Sequence, residues 1–214
     1  MATFRFISDV NTGSTAGLRE AAQGLAEDFI VFNTRPFPCD WGYLALDRIA
    51  SVAESTGADL LYSDYYELVE APDGGTIRRK HPVIDCARGA LRDDFDFGPV
   101  LVFRSSSFQK ALEGMNVERR FGALYDLRLR MDRIVHIGEY LYTEIETDLR
   151  KSGEKQFDYV NPRNREVQIE MEEICTEHLK RIGAYIAPGF RTVSPDPDFK
   201  PEVTASVIIP VFNR

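Results

Sequence analysis

The sequence has few cysteines and no long apolar run. Its three cysteines, Cys39, Cys86 and Cys175, are far apart and show no paired spacing. That pattern fits neither a zinc site nor the disulfide framework of a small secreted domain. No segment has the roughly 18 consecutive apolar residues that a membrane-spanning helix needs. We therefore expect reduced thiols and a cytoplasmic location, and leave open a peripheral position at the inner membrane.

An excess of positive charge is also lacking, because the formal net charge is −8. Sequence-independent binding to nucleic acid depends on Lys and Arg side chains that neutralise phosphates. We therefore do not expect nucleic acid as a partner. An anionic sugar nucleotide would need local backbone N–H groups or a few arginines. The apolar fraction of 43% is ordinary for a globular protein and predicts a substantial core.

Short strand and helix patterns alternate in the first part of the chain. The predicted elements are strands at 3–10, 29–32 and 59–65, and helices at 17–26 and 44–52. Asp40 is expected to cap the second helix, and Gly57 to end it. This alternation favours an α/β domain with a mostly parallel, layered sheet.

The rest of the chain first continues the alternation of strands and helices and then becomes a long charged helix followed by a proline-rich segment. The predicted elements are a hairpin between 65–70 and 76–79, a strand at 100–103, a helix capped by Ser105–Ser107, a helical pattern at 121–131 and a strand at 134–143. A charged amphipathic segment from Asn161 to Gly183 predicts a connector helix. A proline-rich linker follows, and 205–211 predicts a strand.

The C-terminal segment SVIIPVFNR, residues 206–214, resembles the opening strand of family 2 glycosyltransferases, whose usual form is SVIIPVYN. Four upstream matches follow in the order that this family uses: GADLLYSDY at 57–65, GPVLVFR at 98–104, YDLRLR at 125–130, and His136 with Leu141-Tyr142. The chain looks most like the N-terminal half of a tandem family 2 protein. The resemblance implies a three-layer Rossmann-like nucleotide-diphospho-sugar transferase fold with a mixed, mostly parallel sheet.

The resemblance also divides the chain and implies a function. The domains would be a glycosyltransferase-like domain at 1–150, a connector helix and linker at 151–204, and the first strand of a following transferase domain at 205–214. The longer protein would transfer a sugar from a nucleotide-sugar donor to a glycan acceptor in cell-surface polysaccharide synthesis. This segment would be a degenerate partner that does not catalyse alone. The alternative is a non-catalytic module that binds glycan or assembles as a homodimer.

The sequence departs from the family at two positions that transfer chemistry uses. The metal-binding Asp-Xaa-Asp of the family would follow the strand at 29–32, where this chain has Asn33-Thr34-Arg35. A guanidinium has no lone pair for a metal, although Arg35 can pair with a phosphate. The position of the catalytic carboxylate falls on Leu124, which cannot accept a proton. A third alternative is a metal-independent transferase with Asp64 or Asp126 as the base.

An acidic group is expected near the strand ends of this fold. Its members are Asp64, Glu67, Asp93, Asp94 and Asp96. Ionised oxygens accept hydrogen bonds from sugar hydroxyls, so the group predicts sugar or acceptor binding, with a solvated acidic loop as the alternative. Mg²⁺ or Mn²⁺ is expected only if this group replaces the missing motif. Arg35 and His136 complete the predicted substrate-binding residues, and the resemblance implies that His136 approaches the diphosphate.

Overall fold

A computed structural model describes residues 1–71, 74–87, 89–145 and 165–190, together with residues 192 and 206. The chain forms two compact units, Met1–Ala184 and Tyr185–Arg214. All described helices and strands belong to the first unit. The predicted strand at 205–211 and most of the predicted linker lie outside the described residues.

The described residues form a single sheet of seven strands together with five helices. The strands are β1 (Phe4–Ile7), β2 (Phe29–Asn33), β3 (Cys39–Trp41), β4 (Leu60–Glu70), β5 (Thr76–His81), β6 (Val100–Arg104) and β7 (Ile134–Glu144). The helices are α1 (Thr15–Ala22), α2 (Ala45–Thr56), α3 (Ser105–Glu113), α4 (Ala123–Arg128) and α5 (Arg165–Arg181). The prediction of an α/β fold is confirmed.

The sheet is mixed, and its strand order is β1-β2-β6-β4-β7-β3, with β5 paired to the distal part of β4. Among the strands that the structure describes, β1 with β2 and β4 with β7 are the parallel pairs. The other four pairings are antiparallel. The prediction of a mostly parallel sheet is therefore wrong. The prediction failed because β6 lies between β2 and β4 and runs antiparallel to both. Apolar periodicity does not encode the direction of a strand.

The core forms where two continuous apolar strands lie side by side. Residues Phe29–Phe32 of β2 and Val100–Phe103 of β6 are all at most 4% exposed. The Phe32 ring contacts the rings of Phe103 and Phe108, with centroids 5.8 and 5.5 Å apart. Such double-sided burial is typical of central strands in layered α/β sheets. It fixes the positions at which β2, β4 and β7 end.

Two predicted helix caps are wrong. Asp40 lies in β3, and α2 instead begins at Ala45 after Leu44, whose backbone is left-handed at φ 57°. Helix α3 begins at Ser105 without a side-chain cap, and the Ser107 hydroxyl donates to Asp59 Oδ1 over 2.5 Å. The Ser107 hydroxyl therefore bonds to a distant residue instead of to the helix backbone. The prediction that Gly57 ends α2 is confirmed, because its left-handed backbone lets its N–H donate to Ala53 O.

The hairpin between β4 and β5 is confirmed, and its last pair is Glu70 with Thr76. The predicted connector helix is present as α5 within the described residues. Helix α5 packs against α4, and its Ile174 is only 1% exposed. None of the described helices combines the length and the apolar character that crossing a bilayer requires.

Candidate functional site

A histidine lies between two carboxylates where β4 and β7 run in parallel. His136 Nε2 is 2.9 Å from Asp64 Oδ1, and His136 Nδ1 is 2.8 Å from Asp85 Oδ1. The His136 ring stacks on Tyr62, its partner across the strands, with centroids 5.0 Å apart. We call Tyr62, Asp64, Asp85 and His136 the His136 cluster. It joins residues that are up to 74 positions apart in sequence.

An irregularity in the sheet positions Asp64. The pairing of β4 with β7 shifts register between Ser63 and Tyr65, so Asp64 falls where the ladder is interrupted. Its carboxylate also accepts the Val83 N–H at 2.9 Å, and the residue is only 7% exposed. Bulges of this kind re-aim side chains and are common beside functional sites. Asp64 therefore holds His136 from inside the protein.

Tyr62 fixes the segment that carries Asp85. Its hydroxyl donates to Ile84 O at 2.7 Å and accepts the Cys86 N–H at 2.6 Å. Burial raises the pKa of Tyr62, so the hydroxyl keeps its proton. The Asp85 side chain is 91% exposed although one of its oxygens contacts His136. The cluster thus has a buried end at Asp64 and a solvent end at Asp85.

The carboxylates of the His136 cluster offer more hydrogen-bond acceptors than a neutral His136 ring has N–H donors. A neutral imidazole has one N–H, whereas both nitrogens of His136 face carboxylate oxygens. Both contacts are hydrogen bonds only when the ring carries two protons. A ligand hydroxyl that donates to Asp85 would compete with His136 Nδ1 for the same carboxylate. The arrangement is suited to binding hydroxyl groups and to moving a proton at His136 Nδ1.

A second polar cluster lies at the C-terminal ends of β2 and β7. Arg35 Nη1 donates to Glu144 Oε2 at 2.6 Å and to Tyr65 Oη at 3.3 Å. The Glu144 side chain is only 3% exposed. Burial acts to lower the pKa of Arg35, but Tyr65 and Glu144 raise it above its usual value. Arg35 is thus held by a buried internal partner.

Part of the predicted acidic group meets around His81, next to this second cluster. His81 Nδ1 is 2.8 Å from Glu67 Oε1, and His81 Nε2 is 3.2 Å from Asp96 Oδ2. The His81 ring stacks on Tyr65 with centroids 4.5 Å apart. Asp93 and Asp94 are exposed instead, and Asp94 pairs with Arg92 at 2.8 Å. The predicted convergence therefore holds for Glu67 with Asp96, while Asp64 belongs to the His136 cluster.

Neither a family model nor a curated protein matches this chain. The chemistry of the site is therefore argued from its own side chains.

The positions that the resemblance assigns to a metal motif are bonded to the surrounding loop. Asn33 Nδ2 donates to Phe37 O at 2.6 Å, and Thr34 Oγ1 donates to Pro99 O at 3.0 Å. Within the described ranges, no group of three or more His, Cys, Asp or Glu side chains has an arrangement that could hold a metal ion. Asn33 and Thr34 thus help to shape the end of β2.

Asp126, one alternative for the base, is buried in an ion-pair network. Its carboxylate accepts from Arg130 Nε at 2.8 Å and faces Arg119 Nε at 3.4 Å. The Asp126 and Arg119 side chains are 4% and 2% exposed. Leu124, at the position of the implied catalytic carboxylate, is half-buried and packs against the core. This end of α4 therefore presents no exposed proton acceptor.

Sequence reasoning missed Asp85, Glu144 and the role of His81. Asp85 contacts a histidine 51 positions away, and Glu144 contacts an arginine 109 positions away. Local spacing carries no signal for such pairs. The one available hint was the length of the β5–β6 connection, because long connections in compact domains are usually functional.

Proposed function

We propose that this chain is a saccharide-binding module of the family 2 glycosyltransferase type, which supports sugar transfer to a glycan acceptor during cell-surface polysaccharide synthesis. It acts with a following transferase domain of the same polypeptide and does not catalyse transfer alone. The observation that carries the proposal is the His136 cluster, in which one ring lies between a buried and an exposed carboxylate.

The His136 cluster combines carboxylates and aromatic rings, the side chains that commonly bind sugars. Sugar hydroxyls donate strongly to ionised oxygens, and Asp85 presents such oxygens to solvent. Aromatic rings lie beside it, since the Tyr62 ring contacts Phe97 at 4.8 Å and Phe95 at 6.5 Å. Because Asp64 and Tyr62 hold the cluster from within, little ordering is needed when a ligand binds.

The side chains at the positions that the resemblance makes catalytic support binding rather than catalysis. Leu124 offers no proton acceptor, and Arg35 is engaged by Glu144. The carboxylate of Asp126 is engaged by Arg119 and Arg130. A transferase of this type needs both a base and neutralisation of the leaving diphosphate. In the proposed arrangement the following domain supplies them.

The test is a calorimetric titration of the full chain with UDP-, GDP- and dTDP-sugars and with their free sugars, with and without Mn²⁺. We expect cation-independent binding of at least one sugar. Asp85→Asn and His136→Gln should each weaken that binding about tenfold, because each removes one charge-assisted contact. Asp85 is exposed, so its substitution leaves the fold intact.

The matched control is Asp94→Asn, which removes an exposed carboxylate that pairs with Arg92 outside the cluster. Sugar binding should be unchanged in this variant. The proposal is wrong if Asp85→Asn and Asp94→Asn behave alike, or if the chain alone transfers sugar and His136→Gln abolishes the transfer. Micromolar nucleotide binding that requires Mn²⁺ would equally contradict it.

A further inference from the structure

A large cleft lies at the edge of the sheet opposite to the C-terminal ends of β2, β4 and β7. Its volume is about 810 Å³, and it is bordered by Asp59 and Ile134 at the N-terminal ends of β4 and β7. Helix α3 and the last turn of α5 form its walls. Ligand sites in proteins commonly have volumes of about 300–1,000 Å³. The cleft is therefore large enough for a small organic ligand.

The lining of this cleft is basic although the whole chain is acidic. It includes five Lys and Arg side chains against two Asp side chains, a net of three positive charges where the chain carries −8. The basic residues are Lys110, Arg128, Arg130, Arg133 and Arg181. Positive charge in a concave, partly desolvated surface concentrates anions locally. An acidic protein that gathers five cations around one cleft has the charge distribution of an anion-binding site.

Most of these cations lack an acidic partner. Among the residues that the structure describes, Arg130 is the one of the five that forms a salt bridge, with Asp126. Arg133 and Arg181 donate instead to the neutral carbonyls of Thr56 and Leu129. Within the same described ranges, the Lys110 side chain has neither a hydrogen bond nor an ion pair. Positive charge thus exceeds negative charge in the lining of the cleft, although Asp126 and Glu177 act on Arg181.

Arg128 is the most firmly held of these cations. It is only 5% exposed, and its guanidinium lies 4.9 and 5.2 Å from the ring centroids of Tyr125 and Phe97. Its Nη2 donates to Arg92 O, while its buried Nη1 has no hydrogen-bond partner in the described part of the chain. A buried donor without a partner is costly, and an anion would satisfy it. Arg128 is thus a preorganised donor at the cleft.

The electrostatics of the neighbouring groups agree with crowded positive charge. Burial lowers the pKa of Arg181, and the adjacent Arg130 lowers it further. Burial and Arg181 likewise lower the pKa of His178, which also lines the cleft. An anion would relieve this repulsion between like charges.

We propose that this cleft binds a ligand that carries a diphosphate group. The group is recognised by Lys110, Arg128 and Arg133, and either a soluble molecule or a lipid headgroup supplies it. None of the four residues of the His136 cluster lines this cleft, although Cys86 and Ala87, which follow Asp85, do. The inference does not depend on sugar binding at that cluster.

The test is a calorimetric titration of the full chain with inorganic pyrophosphate at low salt. We expect saturable binding with a Kd below about 1 mM, which weakens as salt increases. The double variant Lys110→Gln/Arg133→Gln should weaken it at least about tenfold, because two charged donors are lost. Both residues are exposed, so circular dichroism should show an unchanged fold. The control Lys80→Gln removes an exposed cation on β5 and should bind as the wild type does.

A second arm separates the two sources of the diphosphate. Sedimentation with phosphatidylcholine vesicles that contain a polyprenyl diphosphate, against vesicles of phosphatidylcholine alone, reports whether a lipid-linked diphosphate competes with pyrophosphate. If the vesicles compete with pyrophosphate for the wild type but do not bind the double variant, a lipid headgroup supplies the diphosphate. If the wild type binds pyrophosphate but not the vesicles, a soluble ligand supplies it. The proposal fails if the wild type binds neither probe, or if Lys80→Gln and the double variant lose binding equally. A wild type that binds sugar but neither pyrophosphate nor the diphosphate vesicles would refute this inference and leave the proposed function standing.

Discussion

At the residue scale, the ion pairs of Asp126 determine what this carboxylate can do. Asp126 and Arg119 are both almost fully buried, and Arg130 adds a second contact. Arg119 also pairs with Glu177, whose side chain is partly exposed. Hydrogen bonds to a charged group are typically worth about 1.5–3 kcal/mol. Asp126 is therefore expected to stabilise the fold rather than to take a proton from a substrate.

We predict that Asp126→Asn lowers the free energy of unfolding by roughly 2 kcal/mol, because Arg119 and Arg130 both lose a charged acceptor while Glu177 still pairs with Arg119. Urea denaturation followed by circular dichroism measures this change. The control Asp94→Asn, at an exposed ion pair, should stay within about 0.5 kcal/mol of the wild type. If Asp126→Asn were as stable as the wild type, the ion pairs of Asp126 would not stabilise the fold. Asp126 would then again be a candidate for the catalytic base.

Glu170 is the second residue whose role follows directly from its contacts. Its carboxylate on α5 accepts the backbone N–H groups of Arg120, Phe121 and Gly122, just before α4. Burial acts to raise the pKa of Glu170, but these three donors bring it below its ordinary value. A depressed carboxyl pKa stabilises the folded state above the unfolded-state pKa of 4.5, and this stability is lost as the pH falls through the folded value.

We predict that Glu170→Gln lowers stability by roughly 1 kcal/mol at pH 7, because the three backbone donors lose a charged acceptor. The difference from the wild type should shrink as the pH falls from 4.5 through the lower folded-state pKa of Glu170, below which both side chains are neutral. Thermal unfolding at a series of pH values measures this difference. A difference that stays constant down to acidic pH would contradict the role of the charged carboxylate.

At the element scale, the continuous apolar runs and the turn residues were enough to predict β2, β6 and the β4–β5 hairpin. Strand β3 was missed because its three residues, Cys39–Trp41, show no periodicity and pair with the far end of β7. Strand direction was also misjudged. Apolar patterning reports which faces are buried, whereas the direction of β6 depends on the long connection after β5.

The docking of α5 onto α4 is a close approach that Gly122 permits. A Cβ atom at this position would lie 2.4 Å from Ile174 Cδ1 and 3.0 Å from Met171 Sδ. We predict that Gly122→Ala destabilises the protein by about 1–3 kcal/mol, because the α5 side chains must be displaced. Hydrogen exchange should show faster exchange in α5.

Gly138→Ala is the matched control, since a Cβ there meets no atom within 4 Å. Its exchange in α5 should equal that of the wild type. Equal exchange in Gly122→Ala as well would mean that α5 does not pack closely on α4.

At the scale of the whole molecule, residue types were predictable and their partners were not. The sequence pointed to Asp64, Glu67, Asp96, Arg35 and His136, and the structure places each in a polar cluster beside β4, β2 or β7. It also pointed to a single acidic site, whereas Asp64 and Glu67 lie in separate clusters around different histidines. That division agrees with their spacing, because side chains three positions apart on one strand lie on opposite faces of the sheet.

The basic cleft is a second feature that the sequence did not predict. A net charge of −8 argued against attraction of anions, yet the fold gathers five cations from distant segments. Lys110 lies on α3 and Arg181 on α5, so their proximity is purely tertiary. Net charge constrains long-range steering, while local binding depends on how the fold distributes that charge.

The central claim is that a saccharide binds at the His136 cluster. The chain has three histidines, His81, His136 and His178, so their imidazole NMR signals are readily separated and assigned by single substitutions. During titration with the sugar that binds in calorimetry, we predict that the His136 ring signals shift in a saturable way and reach half of their full shift at the calorimetric midpoint, while those of His178 stay unchanged. Saturable sugar binding that leaves the His136 signals unmoved would contradict the account.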